Sequence, residues 1–205
     1  MVISALQRLE ERFMATTGVQ RMTLEEFRAL PEGPPYYEYE EGELILVAPP
    51  TPEHQDIVGV LSHVLRQFVR QHQLGRVVME VDVFLPDGRG YIPDLTYLAA
   101  EHLHLLNPTD RKIHGSPDLV VEVTSSTPAH DRVHKFRVYY GNGVPWYWII
   151  DSNTLAIEEY HATLQGYLRT ASVAAGEEFR PQLLPNLVIN LAALLGVEPP
   201  ASPSA

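Results

Sequence analysis

Two short segments of the chain echo each other. "IPDLTYL" and "SPDLVVEV" each set a Pro-Asp pair at the entrance of an apolar run that reads as a strand. Asp94 belongs to the first. The second carries Glu122 between Val121 and Val123, a lone carboxylate in an otherwise apolar strand. Such a charge is costly to bury unless it is paired, protonated or bound to a metal. Two carboxylates drawn together at one end of adjacent strands repel, and a hard cation such as Mg²⁺ relieves the repulsion. Asp94, Glu122 and one backbone carbonyl, that of Val123, make half of an oxygen-rich shell. Lys135 follows thirteen residues after Glu122, on the next helix. A lysine beside such carboxylates can orient a nucleophilic water or stabilise charge developing on a phosphate.

The elements that must position these groups are legible from periodicity. Residues 1–20 start with a short amphipathic helix. "MTLEEFRALP" is a second helix, with Thr23 and Glu26 in capping-box spacing and Pro31 closing the run. "YYEYEEGELILVAP" is a hairpin turning at Glu41-Gly42. From Pro52 the period becomes helical through Ile57, Val58, Leu61, Val64, Leu65, Phe68 and Val69, with Gly75 as the stop. "RVVMEVDVFLP" reads as one strand with Val77, Met79, Val81, Val83 and Leu85 on a single face, and "YIPDLTYLA" as the next strand. Residues 101–116 read as a polar loop with some helix, and "PDLVVEVTSS" as the central strand. A helix, "RVHKFRVYYGNG", ends at Gly141 or Gly143. The strand "VPWYWIID", a hairpin around Gln165-Gly166 and a short helix in "LVINLAALLG" complete the chain. The order is helix, three-strand meander, helix, strand. It gives an α/β (α+β) fold with a mixed central sheet flanked by helices. One domain spans 21–196, and the Pro/Ser/Ala-rich segment 197–205 is a flexible tail.

The 205 residues suit one domain with a sizeable core. The absence of cysteine excludes disulfides, thiolate zinc sites and cysteine nucleophiles. No apolar run is long enough to span a bilayer, and the N-terminus does not read as a signal peptide, so a cytoplasmic protein is expected. A net charge of −11 argues against a broad basic face for gripping nucleic acid, although a bound metal can dominate the field at a site.

The combination "YEYEEGEL", "PTPEHQDIV", "YIPDLTYL" and "PDLVVEVTSSTPAHDRVHKFRVYYGNGVPWYWIID" closely resembles the Uma2 (DUF820) family, a branch of the PD-(D/E)XK restriction-endonuclease-like nucleases. The resemblance covers about residues 22–195, and the stretch from Pro117 to Asp151 is its most specific part. It implies a restriction-endonuclease-like core and metal-dependent hydrolysis of phosphodiester bonds in nucleic acid, DNA above all. It makes Asp94 and Glu122 the motif acids and Mg²⁺ or Mn²⁺ the cofactor, and it implies a homodimer. The usual pattern is Glu-x-Lys on one strand, and here that position is Thr124. Lys135 matches a lysine that family members carry on the following helix. Glu38 and His54 match other recurrent polar positions and form an outer set near the same cleft.

Each assignment has a plainer competitor. Asp94 after Pro93 can simply cap a turn. Glu122 and Lys135 can be a structural ion pair in a non-catalytic nuclease-like scaffold that binds nucleic acid or a protein partner. His130 and His134 have zinc-compatible spacing but lack the H-E-x-x-H glutamate, so a solvated face is the better reading. Asp131 reads as a helix cap or as an i+4 partner of Lys135. His102 and His104 read as solvated. Trp146, Tyr147 and Trp148 read as core or interface residues rather than a base-stacking platform. Glu80 and Asp82 lie on the polar face of their strand, towards solvent, a partner subunit or the acidic cleft.

Overall fold

The structure is a computed structural model, and it describes residues 21–31, 33–124 and 129–198. The helix expected within residues 1–20 lies outside these, as do 199–205 of the expected tail. Helix α1 (Leu24–Arg28) has the expected capping box: Thr23 Oγ1 accepts from Glu26 N, and the Glu26 carboxylate accepts from Thr23 N. The hairpin β1 (Tyr37–Glu40) and β2 (Glu43–Leu46) turns at Glu41-Gly42, both with positive φ, as a tight two-residue turn requires. Helix α2 (Pro52–Gln71) buries Ile57, Val58, Leu61, Leu65 and Val69.

Strands β3 (Gly75–Met79), β6 (Leu95–Ala99), β8 (Leu119–Thr124), β9 (Trp146–Asp151), β10 (Ile157–Thr163) and β11 (Gly166–Val173) form a six-stranded sheet in the order β11-β10-β9-β8-β6-β3. Only β8 and β9 are parallel, joined across helix α3 (Ala129–Gly141), and the other neighbours are antiparallel. Both faces of this sheet are covered. Leu119, Val121, Trp148 and Ile150 pack under α2. Val120, Tyr147 and Ile149 pack with Val138 and Tyr139 of α3. Two-sided burial explains why β8 reads as a nearly continuous apolar run. A short helix α4 (Leu191–Leu195) ends on Gly196 in the left-handed region. Among the described residues no helix is long and apolar enough to cross a membrane.

The expected strand over "RVVMEVDVFLP" is two strands. The chain turns at Glu80, φ 48°, and leaves the large sheet. It continues as β4 (Val83–Phe84) in a second, five-stranded sheet of order β2-β1-β5-β4-β7. "YIPDLTYLA" is divided in the same way, into β5 (Gly90–Tyr91) of the small sheet and β6 of the large one. Val77 accordingly packs in the core under α2, while Val83 and Leu85 pack with α3. The segment expected to be a polar loop with some helix holds a 3-10 helix over Ala100–Leu105 and, unexpectedly, β7 (Ile113–His114), which pairs parallel with β4.

The stop of α2 also differs from the expected Gly75. Gln73 takes the left-handed position, φ 54°, directly after the C-cap His72. Gly75 opens β3 with φ 140°, so close to β6 that a Cβ there would lie 2.0 Å from the Leu98 carbonyl oxygen. Glycine is therefore required by contact as well as by conformation. Gly75→Ala is expected to destabilise the protein by about 2–4 kcal/mol, measured by denaturant melts. An unchanged midpoint would contradict this register of β3 on β6.

Candidate active site

Asp94 stands where the hairpin bends from one sheet into the other. On the large-sheet side Leu95 pairs with Val121 and Tyr97 with Leu119. Continuing the register sets Asp94 opposite Glu122 and Pro93 opposite Val123. Alternate residues of β6 exchange hydrogen bonds with β8, so Pro93 and Val123 would be the next bonded pair. Proline has no N–H, and the Val123 carbonyl therefore receives no ladder bond from it. The Val123 N–H donates instead to Asp94 Oδ2, at 2.6 Å. The Pro-Asp pair thus ends the ladder and replaces its last rung with a carboxylate.

Glu122 lies on the face of β8 covered by α3 and is 8% exposed. Its Oε1 accepts from Tyr139 Oη at 2.7 Å, and Lys135 Nζ lies 3.4 Å from the same oxygen. Tyr139 is one helical turn beyond Lys135, so one face of α3 brings both groups to the carboxylate. Lys135 Nζ is closer to Glu38 Oε1, at 2.8 Å. Glu38, on β1, is also buried, and the Ile92 N–H donates to it at 3.4 Å. Burial pushes the Glu122 carboxyl up to about 7, against the nearby Lys135 charge that holds it down and with Asp94 and Glu38 adding to the rise. Burial, then Glu122, pushes the Tyr139 phenol well above its usual range, so it stays protonated and donates.

His54, in the first turn of α2, reaches Asp94 from the opposite face: its Nε2 is 3.1 Å from Oδ1. The hydrogen bond to Asp94 raises the imidazole pKa against the lowering effect of burial. A carboxylate only accepts, so Nε2 carries the proton. The other nitrogen, Nδ1, is buried and has no hydrogen-bond partner among the described residues.

The expected residues Asp94, Glu122, Lys135, Glu38 and His54 therefore converge on one place, and Thr124 does not occupy it as a donor, since its hydroxyl donates to the Ile150 carbonyl at 3.3 Å. The two Pro-Asp segments do different work. β6 and β8 are antiparallel, so Asp118 lies at the far end, where it accepts from Ala99 N at 2.7 Å and binds His102 Nδ1 at 2.8 Å. His102, expected to be solvated, has a side chain 45% exposed and is also bonded to Asp118. His134 likewise departs from the expected solvated face: its Nε2 meets both Glu40 oxygens, at 2.9 and 2.8 Å, and Tyr91 Oη also donates to Glu40. The side chains of His130 and Asp131 lie outside the described residues, and with them the proposed roles of both. Glu80 is exposed at the bend, and Asp82 pairs with Lys112 at 2.8 Å. Tyr147 and Trp148 are buried in the core, as expected, and Trp146 stacks on His161. Tyr139 was not singled out by sequence, although its i+4 spacing from Lys135 carries the signal. Among the described residues no three His, Asp or Glu side chains are grouped so as to hold a metal ion by themselves.

The family model Uma2, described as "Putative restriction endonuclease", matches residues 24–192. No curated protein matches the chain. Among solved structures, the crystal structure of a "putative nuclease belonging to DUF820" from Anabaena variabilis has a TM-score of 0.68 at 20% identity, covering 85% of this chain and 98% of that one. This likeness bears on the fold. The DrdV–DNA complex gives a TM-score of 0.35 at 13% identity, over 56% of this chain and 9% of that one, too remote to carry an argument. The family model spans most of the chain, and the protein belongs to the Uma2 family.

Proposed function

We propose that the protein is a metal-dependent endonuclease that hydrolyses phosphodiester bonds of nucleic acid, DNA first. The observation that carries this reading is the end of the β6–β8 ladder. There the Val123 N–H donates to Asp94, the extended register sets Asp94 opposite Glu122 and Pro93 opposite Val123, and Lys135 Nζ is 3.4 Å from Glu122. These donors fit a hard divalent cation. Two carboxylates and a carbonyl offer oxygen ligands of the kind Mg²⁺ and Mn²⁺ take. Asp94 spends one lone pair on Val123 N and one on His54, which leaves acceptor capacity. A ligand set with one member from the backbone is compatible with the lack of a three-side-chain cluster.

Asp94, Glu122 and the Val123 carbonyl would hold Mg²⁺ or Mn²⁺, which supplies Lewis-acid polarisation of the phosphate and a more acidic water. Lys135 takes the part of the missing strand lysine, orienting water or neutralising charge on the phosphoryl oxygens. His54 fixes one Asp94 oxygen and leaves the other for the Val123 N–H and the cation. Glu38 holds Lys135 from the small sheet. A homodimer, which light scattering would register as twice the chain mass, would let two such sites address two strands.

The competing reading is a non-catalytic scaffold. It is favoured by Lys135 being tied to two carboxylates at once, as a structural ion pair would be. Cleavage separates the two. Wild-type protein with Mn²⁺ is expected to cut DNA, and Asp94→Asn and Glu122→Gln are each expected to lower the rate by at least about a hundredfold while staying folded. Full activity in either variant would remove that residue from the site.

The pH dependence of stability gives a second test. The folded state holds a proton on Glu122 more tightly than the unfolded chain does. The stability this contributes is complete below the unfolded value of 4.5 and is lost as pH rises through about 7. Glu122→Gln removes that loss. Under chelation, the variant's melting temperature relative to wild type is expected to be several degrees higher at pH 8 than at pH 5. A constant difference would mean that Glu122 is not destabilised by burial.

A further inference from the structure

The chain has two lysines and thirteen arginines. Lys112 pairs with Asp82 at 2.8 Å, and the other lysine is Lys135. We propose that Glu40 and His134 are a positioning pair that sets Lys135 against Glu122, so that the small sheet, through β1, presents the lysine that the central strand lacks.

The argument starts from register. Glu38 and Glu40 are two apart on β1 and so share a face of the strand. His134 and Lys135 are consecutive on α3. The strand pair meets the helix pair one to one: Glu38 takes Lys135 at 2.8 Å, and Glu40 takes His134 at 2.8 Å. A single ion pair fixes one point of a helix and leaves it free to roll. Two pairs from one strand fix both its height and its rotation. The strand side of the clamp is itself braced by β5 and the residue after it. Tyr91 Oη donates to Glu40, and the Ile92 N–H donates to Glu38. The Tyr91 ring lies under the lysine, with Nζ 5.5 Å from its centroid. Lysine has a long flexible stem, so a helix that rolled would let Nζ leave Glu122 at little cost. Because a carboxylate only accepts, the His134–Glu40 bond is donated by Nε2 in either charge state of the ring.

What Lys135 is for rests on the endonuclease reading, but where it is held does not. The test is brief acylation of the native protein with an N-hydroxysuccinimide ester, with each lysine quantified by mass spectrometry and Lys112 as the internal reference. In Glu40→Leu and His134→Leu the Lys135-to-Lys112 ratio is expected to rise by about fivefold, since labelling tracks how often a local contact opens. His134→Gln keeps a donor near the Nε2 position and is expected to restore the wild-type ratio. The half-exposed His134 guards against the case in which Glu40→Leu fails to fold. An unchanged ratio in His134→Leu overturns the proposal, as does an equal rise at both lysines, which is general loosening. If the ratio responds but the wild type cuts neither DNA nor RNA, the endonuclease reading falls and the positioning pair stands. If the wild type cuts and the ratio does not respond, the positioning pair falls alone.

Discussion

A carboxylate on an inner strand of a sheet covered on both faces must be stabilised by its surroundings, and the groups that act on Glu122 come from three parts of the fold. Tyr139 and Lys135 arrive on α3, one turn apart. Asp94 arrives from the end of β6, and as a like charge it makes the problem worse. Glu38 arrives from the small sheet and shares Lys135. Burial outweighs the Lys135 charge beside it, and the net result is a carboxyl whose proton affinity is raised.

The second constraint is the missing N–H of Pro93. It ends the β6–β8 ladder at a defined rung, releases the Val123 carbonyl, and hands the Val123 N–H to Asp94. On the other strand of the same hairpin Glu80 turns with positive φ, and its N–H bonds the Asp94 carbonyl at 3.2 Å. The two strands therefore leave the large sheet at the same level. That shared bend builds the small sheet over α3, and with it the face that carries Glu38 and Glu40. Local backbone chemistry at two residues thus connects the acids of the large sheet to the clamp on the helix.

Much of this was legible in the sequence, and the failures have physical reasons. The capping box of α1, the Glu41-Gly42 turn, the long helix and the buried carboxylate of Glu122 rest on local signals: side-chain caps, positive-φ glycine, period and an odd charge in an apolar run. The division of "RVVMEVDVFLP" was hidden because its alternation continues unbroken across Glu80, a residue whose type gives no warning of a left-handed backbone. Gln73 rather than Gly75 closes α2 for the same reason, and Gly75 answers to its contact with β6 instead. The pairing of His134 with Glu40 joins residues 94 positions apart, and no helical period reports it. The convergence of Lys135 was legible in direction, while its hold on Glu38 needed the second sheet.

The most direct measurement is a calorimetric titration of the chelator-treated protein with Mn²⁺, beside Asp94→Asn and Glu122→Gln, each checked for an intact fold. The account expects one site per chain in the wild type, lost or weakened by at least about tenfold in both variants. Wild-type binding that survives unchanged in both folded variants would place the cation elsewhere and contradict the assignment of this ladder end as the active centre.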